Sequence, residues 1–377
     1  MKIYKKLMTC LLTLSLLCST IPSTSSAEVV EVAETNINLY YAFDSNEQFQ
    51  SFSSRGFSED IESITFGWAG LETSEDGTLK LQYETGDFRV PPGYESVLTT
   101  TQEKGVKVYL NIFCDGPYDN LLGSLETITV DIRNILNGKT MNGLEFDGVV
   151  LDLEGLFVDD QRDFAAFVWF VNNAVKRDGK TVKVALQPGR GTEYSILNKC
   201  TDGYILMLHD YEPKYYNLPV NASKPVVTPL APTYKLLEDL EAELELIGEE
   251  KKNDVTLQLN LATAQWKIKN GRIMGPNGTR LPYRPTYTSL VQRMAVIERE
   301  DSSGFKRFDD GSPYLHYYDR IDETWNTIWY EDETSFKTKI DAAKILGISS
   351  FSVWRMGNLP EIGRYNLDIP DVLNLLE

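Results

Sequence analysis

The stretch FDGVVLDLEG, residues 146–155, sets three carboxylates, Asp147, Asp152 and Glu154, into an otherwise apolar run. Side chains alternate along a strand, so Asp152 and Glu154, two residues apart, point to the same face. That face should belong to the core. Burying a carboxylate without a partner costs on the order of several kcal/mol, so a chain that keeps two such groups together is using them.

Segments of the same kind recur on either side. Strands are predicted at 37–43, 62–69, 106–113, 146–154, 182–188, 202–210, 254–262 and 349–356, eight in all. Between them, Phe164, Phe167, Val168, Val171 and Val175 recur at helical spacing before Gly179, and 234–250 and 334–346 read as further helices. Strands alternating with helices build a parallel sheet, and eight such units in this length predict an α/β fold, a (β/α)8 TIM barrel. Asp152 and Glu154 then fall at the C-terminal end of the fourth strand, where barrels of this kind carry their working residues. One crossover is too long for a plain loop. Residues 267–330, between the seventh strand and the last helix–strand unit, are expected to form a small inserted α+β subdomain over the barrel mouth.

Residues 1–27 combine Lys2, Lys5 and Lys6 with an apolar stretch from Leu7 to Cys18 and a small-residue site ending at Ala27. This is the pattern of a secretory signal peptide, its apolar part shorter than the ~20 residues of a membrane span. The barrel is therefore assigned to 28–377, and the protein is expected to be secreted, extracellular or cell-wall associated. Loss of the three lysines takes the formal charge from −18 to −21. Nucleic acid and anionic membranes repel so acidic a surface. His209 and His316 are the only histidines, and neither zinc spacing, a GxSxG elbow nor a phosphate-binding glycine loop occurs. No metal or cofactor is expected, so hydrolytic chemistry would run on carboxylates.

The segment DGVVLDLE resembles the DxxDxDxE signature of glycoside hydrolase family 18, with Asp147, Asp152 and Glu154 in its first, third and last positions. LMLHDYEP (206–213) is similar to the family's sixth-strand Met-x-Tyr-Asp motif, and GISSFSVWRMGN (347–358) to its last-strand segment. WYEDETSFKTKIDAAKILG (329–347) resembles the branch that degrades spore cortex and other peptidoglycan. The resemblance implies a retaining glycosidase that cleaves β-1,4 bonds next to N-acetylglucosamine with the substrate's own acetamide as nucleophile. It implies Glu154 as general acid and base, Asp152 as the carboxylate that orients the acetamide, and Asp147 as support. Asp210 would bond the sugar, Trp354 would stack beneath it, and Trp266 and Tyr41 would offer further aromatic contacts. The implied partner is a peptidoglycan or chitin-like N-acetylated glycan, acted on by a monomer.

Four places depart from the pattern. Val150 replaces the signature's second aspartate, which shares a proton with the third. His209 stands where most members carry a tyrosine that bonds the acetamide, and Tyr211, on the same side of an extended chain, is the candidate substitute. LQLNLATAQW and LNIFCD lack the motifs typical of chitinases. Two other readings stay open: a catalytically inactive chitinase-like lectin, and an endoglycosidase or chitinase acting on chitin oligomers or N-glycans.

Overall fold

The computed structural model describes residues 35–41, 61–86, 88–211, 232–300 and 302–355; the expected signal segment lies outside the described residues. The eight expected strands are present and parallel. In chain order they are β1 (Asn36–Tyr41), β2 (Ile61–Thr73), β4 (Lys107–Cys114), β5 (Gly148–Leu153), β6 (Thr181–Leu186), β7 (Gly203–Met207), β8 (Val255–Asn260) and β14 (Ser350–Trp354). Each pairs with the next, and β1 pairs with both β14 and β2, which closes a (β/α)8 barrel. A short strand, β3 (Leu79–Gln82), runs back along the end of β2.

Alternation divides each strand between two environments. Val149, Leu151 and Leu153 of β5 join the core between strands and helices, whereas Val150 meets Tyr40, Tyr109, Ala185, Ile205 and Met207 inside the barrel. The outer core is sealed by α1 (Tyr94–Glu103), α2 (Leu125–Leu136), α3 (Gln161–Val175), the four-residue α4 (Tyr194–Leu197) and α5 (Thr233–Ile247). The spacing of Phe164, Phe167, Val168, Val171 and Val175 buries all five on α3. Each such side chain contributes about 1.5–3 kcal/mol of transfer free energy.

After β8 the chain leaves the barrel to build an antiparallel sheet in the order β10-β9-β13-β12-β11. Its strands are β9 (Ala264–Lys269), β10 (Arg272–Met274), β11 (Phe305–Arg307), β12 (Pro313–Asp319) and β13 (Thr324–Trp329), with α6 (Tyr287–Glu300) between β10 and β11. The sheet begins three residues before the expected 267, because Ala264 and Trp266 already pair with Trp329 and Thr327.

The return to the barrel is fastened by a buried ion pair between Glu331 and Lys339, 4% and 1% exposed, in which Ser335 Oγ donates to Glu331 Oε2 at 2.6 Å. Lys339 lies on α7 (Glu333–Ile345), whose first turn is capped by Asp332 accepting from the Ser335 amide. Tyr287 of α6 bonds the Glu331 backbone, so the same joint holds the inserted helix. Removing one partner leaves a buried charge alone. Lys339→Met should therefore lower unfolding free energy by about 3–5 kcal/mol in urea titration. Lys337→Met, which breaks an exposed pair with Asp341, should cost no more than about 1 kcal/mol.

Candidate active site

Asp152, near the C-terminal end of β5, is 4% exposed. The adjacent strand supplies Asn111, whose Nδ2 donates to Asp152 Oδ2 at 3.2 Å, and Tyr40 on β1 donates to Asn111 Oδ1 at 3.4 Å. Asp152 Oδ1 is buried and has no hydrogen-bond partner among the described residues. Burial, and then the charge of Glu154, hold the Asp152 carboxyl well above the usual carboxylate range; the Asn111 bond and the charge of His209 pull the other way.

Glu154 follows β5 at the rim. Its amide donates to Cys114 O at 2.7 Å and its carbonyl accepts from the Tyr118 hydroxyl at 2.5 Å, which fixes the backbone where the chain turns at Gly155 (φ 69°). Its side chain, partly exposed, accepts from Gln187 Nε2 at 3.1 Å, and Gln187 stands just past the end of β6.

Beyond β7, the His209 ring lies 8% exposed, with Nδ1 at 3.0 Å from Asp210 Oδ2 and Nε2 at 2.8 Å from Gln258 Oε1. Asp210 accepts from Asn260 Nδ2 at 3.1 Å. Arg284, from the inserted segment, stands 4.0 Å from Asp210 and donates to Thr263 O at 3.2 Å, so the insertion contributes a cation to the mouth. Trp354 ends β14, partly exposed, with its ring edge-on to Tyr40 at 5.5 Å.

Asp152, Glu154, His209, Asp210 and Trp354 thus meet at one end of the barrel, and three expected residues do not join them. Asp147 immediately precedes β5, five residues and roughly 17 Å from Asp152, where its carboxylate accepts from the Val108 amide at 2.7 Å and ties the start of β5 to β4. Tyr211 does not follow an extended chain, because Asp210 is left-handed (φ 58°). Its hydroxyl donates to Asp239 on α5 at 2.9 Å. Trp266 is 1% exposed in the core of the inserted sheet with Tyr314 and Trp329, which leaves no face for a sugar. The Tyr41 side chain lies outside the described residues. The sequence reading passed over Tyr40, Asn111, Gln187, Gln258, Asn260 and Arg284. All but Arg284 carry the signal that exposed Asp152, a polar side chain at an inward position in or just past an apolar strand.

Carboxyl groups with opposed environments at the rim of a concave barrel end suit proton transfer beside a bound ligand. The profile of glycosyl hydrolases family 18 matches residues 36–358. The chain belongs to this family. It is a glycosidase, and family 18 accounts for nearly the whole described structure. A search of curated proteins finds no match. Among solved structures, the C-terminal domain of a putative chitinase from Desulfitobacterium hafniense DCB-2 is 20% identical, with a TM-score of 0.68 over 91% of this chain and 100% of that one. The spore cortex-lytic enzyme SleL of Bacillus megaterium QM B1551 is 16% identical, with a TM-score of 0.64 over 94% and 75%. A chitinase from Chromobacterium violaceum ATCC 12472 is 13% identical, with a TM-score of 0.66 over 91% and 98%. At these identities the structures share the fold. Among the described residues no helix is long and apolar enough to cross a membrane, and no cluster of three or more His, Cys, Asp or Glu is arranged to hold a metal.

The raised Asp152 carboxyl has a consequence for stability. A carboxyl whose folded pKa lies above its unfolded value favours the fold fully below the unfolded pKa, and that contribution is lost as pH rises through the folded one. Asp152→Asn removes the titration and can still accept from Asn111. The variant should match the wild type near pH 4 and exceed it by about 0.5–2 kcal/mol at pH 7.5, as urea unfolding at both pH values would show.

Proposed function

We propose that the protein is a secreted endo-β-N-acetylglucosaminidase that cleaves β-1,4 bonds in peptidoglycan, with retention, by substrate-assisted catalysis. The observation that carries this reading is the unpartnered Oδ1 of Asp152, a buried acceptor beside Glu154. A buried acceptor without a donor is costly. The acetamide N–H of an N-acetylated sugar is a donor of the right kind, whereas a plain glucose unit has only a hydroxyl at that carbon and a 2-deoxy sugar has no donor there.

In the proposed reaction Glu154 gives its proton to the glycosidic oxygen as the acetamide oxygen bonds to the anomeric carbon and the bond to the leaving sugar breaks. Asp152 holds the acetamide N–H throughout, and its charge stabilises the positive oxazolinium ring that forms. Glu154, now a carboxylate, takes a proton from water, whose oxygen adds to the anomeric carbon and reopens the ring. Two displacements at one carbon give retention. Gln187, bonded to Glu154, fixes where the proton is delivered. Trp354 lies beneath the sugar ring, and Asp210, held by Asn260, meets a hydroxyl or the acetamide.

Peptidoglycan is favoured over chitin by the 329–347 segment, which resembles the cortex-degrading branch; the structural neighbours include both spore cortex-lytic enzymes and chitinases. The reading is tested by digesting peptidoglycan, N-acetylglucosamine oligomers and N-glycans with wild type and Glu154→Gln, with products read by mass spectrometry. New reducing-end N-acetylglucosamine from peptidoglycan is expected, reduced by about 10²–10⁴-fold or more in the variant. Preferential cleavage of another glycan would reassign the substrate, and binding by both proteins without cleavage would make the protein a glycan-binding member of its family.

A further inference from the structure

His209 sits between two acceptors. Its Nδ1 faces Asp210 Oδ2 at 3.0 Å and its Nε2 faces Gln258 Oε1 at 2.8 Å. A neutral imidazole carries one N–H and one lone pair, so it can satisfy only one of these; the other contact would oppose two lone pairs. Only the doubly protonated ring donates to both, and with the side chain 8% exposed, bulk water is not the alternative partner. We propose that His209 is held as an imidazolium at neutral pH, a fixed cation that opposes the protonation of Asp152, and thus a positioning residue for the reaction.

The surrounding groups agree with a cation. From β5 and the rim, the charges of Asp152 and Glu154 act on the ring; from the same turn comes Asp210; from the inserted segment comes Arg284 at Asp210; from β8 come the neutral amides Gln258 and Asn260. Burial alone would drive the imidazole pKa down, but the Asp210 hydrogen bond and charge, with Gln258 and Glu154, outweigh it and raise it above its ordinary value. Asn260 Nδ2, whose orientation is fixed by Ala262 N donating to Asn260 Oδ1, also approaches Nδ1, but at 3.4 Å, a longer contact than the 3.0 Å from Nδ1 to Asp210 Oδ2.

The rival state is specific. The Gln258 Nε2 has no partner among the described residues, so turning that amide over would present a donor to His209 and leave the ring neutral. The role has a clear place in this chain, because Val150, the other inward residue of β5, is apolar and brings no charge to Asp152. A cation at His209 lowers the Asp152 pKa and does the electrostatic work instead. The protonation state rests on geometry, while the part it plays in turnover rests on the function proposed above.

The chain has two histidines, which makes ¹⁵N NMR of the imidazole rings decisive, with His316→Gln assigning the signals. Both His209 nitrogens should be protonated at pH 7, and Asp210→Asn should lower the titration midpoint by about 1–3 pH units. One unprotonated nitrogen at pH 7 would overturn the proposal in favour of the turned Gln258 amide. Should Asp210→Asn fail to fold, the wild-type spectrum alone decides, and it needs no substrate, so a glycosidase failure and a failure here are separable. The positioning role is read from His209→Gln, in which the acid limb of the activity profile should move to higher pH as Asp152 loses its cation. An unmoved limb would overturn that role.

Discussion

A parallel strand in a closed barrel sends every second side chain into a space without bulk water, and β5 sends Val150 and Asp152 there before Glu154 emerges at the rim. Everything else at the site answers to that placement. The buried carboxylate holds its proton too tightly, and Glu154 close by tightens the hold further. Asn111 and the charge of His209 oppose both, and Tyr40 braces Asn111 in turn. The outward residues of the same strand, Val149, Leu151 and Leu153, provide the apolar packing that keeps the acid in place. Stability is given up locally so that an acceptor can wait unpaired for a donor.

The barrel interior is uneven in a way that supports this. At the N-terminal end, Asn38 donates to Ser350 on one side and accepts from Ser63 on the other, at 3.0 and 2.5 Å, while Thr256 bonds Ser350 at 2.8 Å. This network ties β8, β14, β1 and β2 together at the seam where the barrel closes. It thereby sets the register of Tyr40, two residues beyond Asn38, and of Trp354, four beyond Ser350. The opposite wall, made by Val150, Ala185, Ile205 and Met207, is apolar. A polar wall that locks geometry and an apolar wall that withholds solvent together give Asp152 its environment. The inserted sheet completes the mouth by bringing in Arg284, and the buried Glu331–Lys339 joint anchors the insertion where the chain rejoins the barrel.

The barrel was legible because short apolar runs such as Val149 to Leu153 alternate along the chain with helical patterns such as Phe164 to Val175. The acids were legible because a charge in an apolar strand is costly and so stands out. Asn111, Gln258 and Asn260 obey the same logic, but a neutral amide inside a strand is a weaker signal than a carboxylate. Trp266 misled because an aromatic residue reads the same whether it floors a sugar site or a core, and only its register against Thr327 separates the two. Tyr211 misled because the left-handed turn at Asp210, an aspartate with no glycine beside it, reverses the expected alternation. Arg284 lies far along the chain in an insertion whose docking no local pattern records.

The central claim is that Asp152 offers a buried acceptor to the acetamide N–H of the bound sugar. Its most direct test is calorimetric titration of the Glu154→Gln variant with matched oligomers of N-acetylglucosamine and of 2-deoxyglucose, which has no donor at the carbon bearing the acetamide. The account predicts binding of the N-acetylated oligomer that is at least about 10-fold tighter, the cost of leaving one buried acceptor unmet. Equal affinity for the two would contradict it, since Asp152 would then be meeting no donor that the acetamide supplies.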